Sequence, residues 1–139
     1  MSRPELILEP MIALAGLTYL VLLRLPYVRF RAIFAREVQL EDFKHFHAAD
    51  LPAELSVPNR NYMNLLELPT LFYVVCLGLY VVGKVTDVDQ VLAWSYVGLR
   101  GIHSLVHLSY NRVLHRFLLF GASNFVLAAL WVRLWLALH

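Results

Sequence analysis

Arg60, Asn64 and Glu67 fall at i, i+4 and i+7, so a helix would bring a guanidinium, an amide and a carboxylate onto one face. A second set follows about forty residues later: Arg100, His103 and His107, again on one helical face, with Ser104 beside them. Both sets lie inside apolar runs. Ionisable side chains in such runs cost about 2.5–3.5 kcal/mol each at the centre of a membrane-inserted helix, and they mark ligand, ion or proton sites by default. The chemistry on offer is anion binding by arginines, amine binding by a carboxylate and hydrogen bonding by amide and imidazole groups.

The elements that must carry these residues are legible from hydropathy. The chain has 139 residues, 60% of them hydrophobic and 16% charged, with a mean hydropathy of +0.61. Soluble domains average about 45–50% apolar and about 25% charged residues, so the composition points to an all-α integral membrane protein forming one domain over residues 1–139. Four apolar stretches mark four expected spans, at about residues 6–25, 59–82, 91–110 and 117–138. The first is too long for a signal h-region and reads as a retained span. Pro26 is expected to help end it, because the residue before a proline avoids helical geometry. Phe30, Ile33, Phe34 and Val38 then give the polar connection some helical periodicity, consistent with an interfacial helix. Pro69 is expected to kink the second span and to free the carbonyl of Leu65. Trp131 and Trp135 fit an aromatic belt, and Arg133 is close enough to the C-terminus to snorkel.

Lysine and arginine placement sets the expected orientation. Arg24, Arg29, Arg31, Arg36, Lys44, Arg60, Arg112 and Arg116 belong to the first and third connections and their flanks, against Arg3 and Lys84 on the other side. The positive-inside rule therefore puts those connections in the cytoplasm and both termini outside. On that frame Glu67 lies about 10 Å deep, His107 about 8 Å, His103 about 13 Å and Arg100 about 18 Å at 1.5 Å per residue. The two polar sets share the cytoplasmic half, so they are expected to face one another or a common cleft holding a polar ligand, with Arg100 reaching down to Glu67. A purely structural Glu67–Arg100 ion pair would leave Asn64, His103, Ser104 and His107 unexplained.

Other chemistries are less well supported. No dense basic patch suggests nucleic acid as a partner. Cys76 is the single cysteine, so neither an intrachain disulfide nor a Cys-rich metal site can form. His45 and His47, at i, i+2, do not share a helical face and read as loop histidines. His103 and His107 have the spacing of a metal pair, but the nearest carboxylate, Glu67, has a guanidinium beside it that opposes a cation, so no metal is expected. A proton relay through Glu67, His103 and His107 remains an alternative, without an inverted repeat to support a transporter.

The pattern Arg60-x-x-x-Asn64-x-x-Glu67-x-Pro69, with Arg100-x-x-His103-Ser104 and then Arg116, resembles the paired signatures of the membrane-associated proteins in eicosanoid and glutathione metabolism, the MAPEG family. The resemblance is carried by about residues 58–125. It implies a four-helix bundle assembled as a homotrimer, with glutathione as the cofactor bound between subunits in the cytoplasmic half of the bilayer. By motif position Arg60, Asn64, Glu67, Arg100 and His103 fall in the glutathione site, and His107 is counted with them. Arg116 takes the place of the arginine thought to stabilise the thiolate. The implied activity is a glutathione transferase or peroxidase acting on lipophilic electrophiles that arrive through the bilayer. His107 stands where family enzymes commonly have tyrosine, and Met63 where members related to prostaglandin synthases have arginine. Phe117 and Phe120 stand where some members have polar residues. Eicosanoid synthesis is therefore not implied, and a non-catalytic member binding another anionic or lipid ligand is the alternative.

Overall fold

The apolar runs become helices because a lipid-exposed backbone must satisfy its own hydrogen bonds. The computed structural model describes residues 3–36, 38, 39, 41 and 52–139. A short 3-10 turn, Pro4–Ile7, leads into α1 (Leu8–Phe34), followed by α2 (Ala53–Leu66), α3 (Pro69–Val82), α4 (Asp87–Leu108) and α5 (Val113–Leu138). No strand occurs among the described residues. With α2 and α3 forming one interrupted arm, the elements make four helical arms, in agreement with the four apolar stretches. α4 packs most extensively on α5, α1 on α2, and α3 on α5.

Two expected boundaries are corrected. α1 does not end at Pro26 but runs on to Phe34, so Phe30, Ile33 and Phe34 belong to it and not to a separate interfacial helix. A proline removes one backbone donor, and in an apolar stretch losing one bond costs less than unwinding the eight residues beyond it. The extension is held by its own small cluster, in which Ala32, Val38 and Leu55 are buried with Val28 and Ile33 against them. Likewise α2 starts at Ala53, well before residue 59, with Pro58 inside it. Lys44, His45 and His47 lie outside the described residues.

At Pro69 the second arm does not merely kink; it breaks. α2 stops at Leu66, Glu67 adopts φ −77° and ψ −97°, and Pro69 sits in the first turn of α3, where its missing N–H is of no consequence. α3 ends on Gly83 at φ +71°, whose N–H bonds the carbonyls of Leu79 and Tyr80. Thr86 and Asp89 then open α4 with a capping box: the Asp89 carboxylate accepts from the Thr86 backbone N–H at 2.8 Å.

The apolar core sits where the four arms meet. Phe72 stacks on Tyr96 with centroids 4.6 Å apart and planes at 14°. Ile7, Leu14, Val75, Cys76, Leu79 and Leu130 are buried with them. Cys76 is thus a core thiol packed between helices. Arg133, near the end of α5, reaches over to the start of α4. Its Nε donates to Asp89 Oδ1 at 2.8 Å and its Nη2 to Thr86 Oγ1 at 3.0 Å, tying the start of α4 to the end of α5.

Three arms are long and apolar enough to cross a membrane: residues 4–34, 53–82 and 113–138. α4 is not among them, because Arg100, His103, Ser104 and His107 lower its hydropathy. Those four side chains are buried, whereas Val88, Val91, Trp94, Ile102 and Leu105 of the same helix point outward. α4 is polar inside and apolar outside, the inverse of a helix on a water-soluble domain.

Candidate functional site

The break in the second arm organises the site. A helix end leaves its last carbonyls without backbone partners. Here the Met63 carbonyl accepts from the Glu67 N–H at 3.1 Å, and the Leu66 carbonyl from Thr70 Oγ1 at 2.6 Å. The Asn64 carbonyl accepts from Arg100 Nη2, reaching across from α4. A cation at a helix C-terminus also opposes the negative end of the helix dipole. The freed carbonyl expected from Pro69 was that of Leu65; the one Arg100 takes is Asn64, a residue earlier, because the helix stops short of the proline.

Arg100 is fully buried, and its Nε and Nη1 have no hydrogen-bond partner. Its guanidinium carbon lies 5.9 Å from the centre of the Phe120 ring. The expected Glu67–Arg100 ion pair does not form within the chain. Glu67 is exposed and influences Arg100 only through space. Glu67 still continues α2, its φ of −77° helical and its N–H on the Met63 carbonyl, so it keeps the exposed side of that helix with Arg60, whereas the buried Arg100 is taken up by the Asn64 carbonyl.

His103 is held from α5. Its Nδ1 lies 3.2 Å from the Arg116 carbonyl oxygen, and since a carbonyl only accepts, Nδ1 carries the proton. Its Nε2 is buried without a partner. His107 sits one turn on, its ring edge-on to that of His103 with centroids 6.0 Å apart, and neither of its nitrogens has a partner. Beside them Ser104 Oγ donates to Asn61 Oδ1 at 3.2 Å, joining α4 to α2.

Arg116 stands in the first turn of α5, and the tight connection before it sets its aim. Asn111 adopts φ +51°, a left-handed conformation that asparagine tolerates better than most residues. From there its Oδ1 accepts from Arg116 Nη1 at 2.9 Å. Next to it the Tyr110 hydroxyl lies 2.9 Å from His115 Nδ1. No motif marks Asn111; its one signal in the sequence is an asparagine in a short inter-helix turn, a residue type suited to φ > 0.

Asn64, His103 and Arg116, from three different helices, meet in one groove of about 250 Å³, completed by Val113, Phe117 and Phe120. Of the remaining candidates, Arg100 and His107 are buried residues outside the groove wall, while Arg60 and Glu67 are exposed and outside it. Arg60 still acts electrostatically on Arg116 and His107, so the region is electropositive. A groove lined by three polar side chains, one of them an arginine, and three apolar ones suits an anionic or thiolate group bearing an apolar substituent. Among the described residues no group of three His, Cys, Asp or Glu side chains could hold a metal ion.

The turn gives a test of its own. Asn111→Gly keeps the left-handed backbone accessible but removes the Arg116 tether. It is expected to leave thermal stability within about 1 kcal/mol of the parent while weakening ligand binding at Arg116 several-fold by titration; Asn111→Ala should lose stability as well.

No curated protein and no solved structure gives a significant match to the chain. The sequence model of the MAPEG family, in contrast, matches residues 7–136, nearly its whole length. With the paired signatures, the helical membrane architecture and the shared groove, that match places the chain in the MAPEG family.

Proposed function

We propose that this protein is a membrane-embedded glutathione-dependent transferase or peroxidase acting on lipophilic electrophiles. Membership of the family supports a glutathione-related function at that level. The observation that carries the specific reading is the convergence of Asn64, His103 and Arg116 on one groove beside Phe117 and Phe120. In this reading the glutathione thiol, with an ordinary pKa of about 8.5, is held as thiolate by the Arg116 guanidinium. The electrophile lies against the phenylalanines, and the sulfur attacks it as the leaving group departs. The buried, under-bonded Arg100 strengthens the field that draws an anion to this half of the bundle.

The proposed assembly is a homotrimer. Arg60, Met63, Leu66 and Glu67 are exposed along the end of α2, with Val74 and Leu77 continuing that surface on α3. A neighbouring copy on this face would turn Glu67 and Arg60 into walls of an intersubunit site, where Glu67 meets the glutathione amino group and the arginines its carboxylates. α4 acts as the fourth span, its outward apolar face against lipid or a neighbour. The first and third connections lie in the cytoplasm and both termini outside, as the arginine and lysine distribution requires.

A second reading, a non-catalytic member binding another anionic or lipid ligand, is favoured by Phe117 and Phe120 in the groove wall and by the burial of His107. Titrating glutathione into detergent-solubilised wild type and Glu67→Gln separates the two. Saturation at millimolar glutathione, weakened in the variant, is expected; no binding in that range would sink the enzymatic reading.

A further inference from the structure

A second groove, of about 560 Å³, runs between α1 and α4 on the side away from Arg116 and Phe117. Its walls are Leu17, Leu20 and Val21 on α1 and Gly101, Leu105 and Ser104 on α4, the serine hydroxyl being engaged by Asn61. Its far end carries Arg24 and Tyr27, both exposed. α1 and α4 run the same way through the bundle, so residues 17 to 27 of one accompany 101 to 108 of the other. The groove therefore has an apolar end toward the bundle middle and a polar end toward the α4–α5 turn.

We infer that this groove binds one anionic phospholipid, with an acyl chain laid between α1 and α4 and the headgroup phosphate on Arg24. Three observations carry it. The first is length: ten residues of α1, from Leu17 to Tyr27, rise about 15 Å, half of the ~30 Å hydrocarbon core and so the depth of one leaflet. The second is charge. Arg24 makes no ion pair among the described residues and is the one charged side chain lining a mostly apolar trough. Tyr27, one turn further, is a residue type that settles at the headgroup level. A guanidinium beside a tyrosine at the mouth of a leaflet-deep groove complements a phosphate diester and offers nothing specific to a neutral chain end.

The third observation is Gly101. A glycine inside a helix costs about 1 kcal/mol relative to alanine, with no turn here to require it. A Cβ built on Gly101 would meet nothing within 4 Å. No helix of the same chain occupies that space, so the floor of the groove is open there.

The full chain is to be reconstituted in nanodiscs of phosphatidylcholine with a minor fraction of phosphatidylglycerol, then released for native mass spectrometry. Wild type is expected to retain one phosphatidylglycerol per chain. Arg24→Gln is expected to lower the preference for phosphatidylglycerol over phosphatidylcholine about fivefold, the effect of one basic residue near an anionic headgroup. Gly101→Leu fills the floor and is expected to reduce retention of both lipids, with glutathione binding unchanged in either variant. Equal retention of the two lipids by wild type, or retention indifferent to Gly101→Leu, overturns the proposal. A change in the number of chains per particle on Gly101→Leu also overturns it, since the groove would then hold a second copy of this chain. Should Gly101→Leu fail to fold, an unaltered lipid preference in Arg24→Gln is decisive against it.

Discussion

Glutathione added to the Arg116→Ala variant is expected to remain a thiol at neutral pH, and turnover of a lipophilic aryl halide is expected to fall about 100-fold or more. A free thiol with a pKa of about 8.5 is only a few per cent ionised at pH 7. Lowering that pKa by about two units makes most of it thiolate and corresponds to roughly 2.7 kcal/mol of preferential binding of the anion. In the groove the group placed to supply this is Arg116, held toward the opening by Asn111 at 2.9 Å. Arg116→Lys separates charge from geometry. It keeps a cation but loses the planar fork, so an intermediate thiolate signal is expected. The difference absorbance of the thiolate checks both variants without relying on turnover; an undiminished signal in Arg116→Ala would remove this residue from the chemistry.

The largest expected loss of stability lies at the opposite end of the bundle. Asp89 is fully buried, and its carboxylate is held by Arg133 at 2.8 Å and by Thr86. Arg133→Ala leaves that carboxylate buried beside Thr86 alone. Breaking a buried pair by removing one partner costs about 3–5 kcal/mol, and a value near 3 is expected because the Arg133 side chain is 34% exposed. Replacing both residues with apolar ones should cost less than the single change. Asp89 precedes His103 by fourteen residues of α4, about 21 Å, so glutathione affinity of the folded protein should not move. Unfolding of the solubilised protein by a denaturing detergent reads the first effect, and titration reads the second. A stability loss under about 1 kcal/mol would mean that this pair is solvated and contributes as a surface bridge does.

These two expectations rest on features of unequal visibility in the sequence. Asn64 is legible from helical spacing, because spacing is what a helix converts into position, whereas Arg116 enters only through the family resemblance. The i+7 relation of Glu67 to Arg60 survives, because the helix is continuous up to the Glu67 N–H; what the pattern does not show is that Pro69 ends α2 at Leu66 where a kink is expected. Pro26, in a similar apolar setting, did not stop α1 at all. The residue type was the same in both places, and what surrounds it decides whether a helix breaks. At Pro69 side chains are at hand, Arg100 and Thr70, to take the released carbonyls. The Asp89–Arg133 pair joins residues 44 apart, which no local pattern can announce; only its Thr86–Asp89 half, a capping box, is written in sequence. α4 reads as an arm from its apolar run, and the polar residues that interrupt that run share one stripe, which is the buried one.

The hand of Arg100 on the Asn64 carbonyl has a consequence for how the chain is made. The second arm leaves the ribosome before α4 exists, so its broken middle enters the bilayer with an acceptor that nothing in the nascent chain can yet satisfy. Until Arg100 is synthesised 36 residues later, water or another polar group must serve that carbonyl. Insertion of the second and third arms is thereby coupled through this one contact.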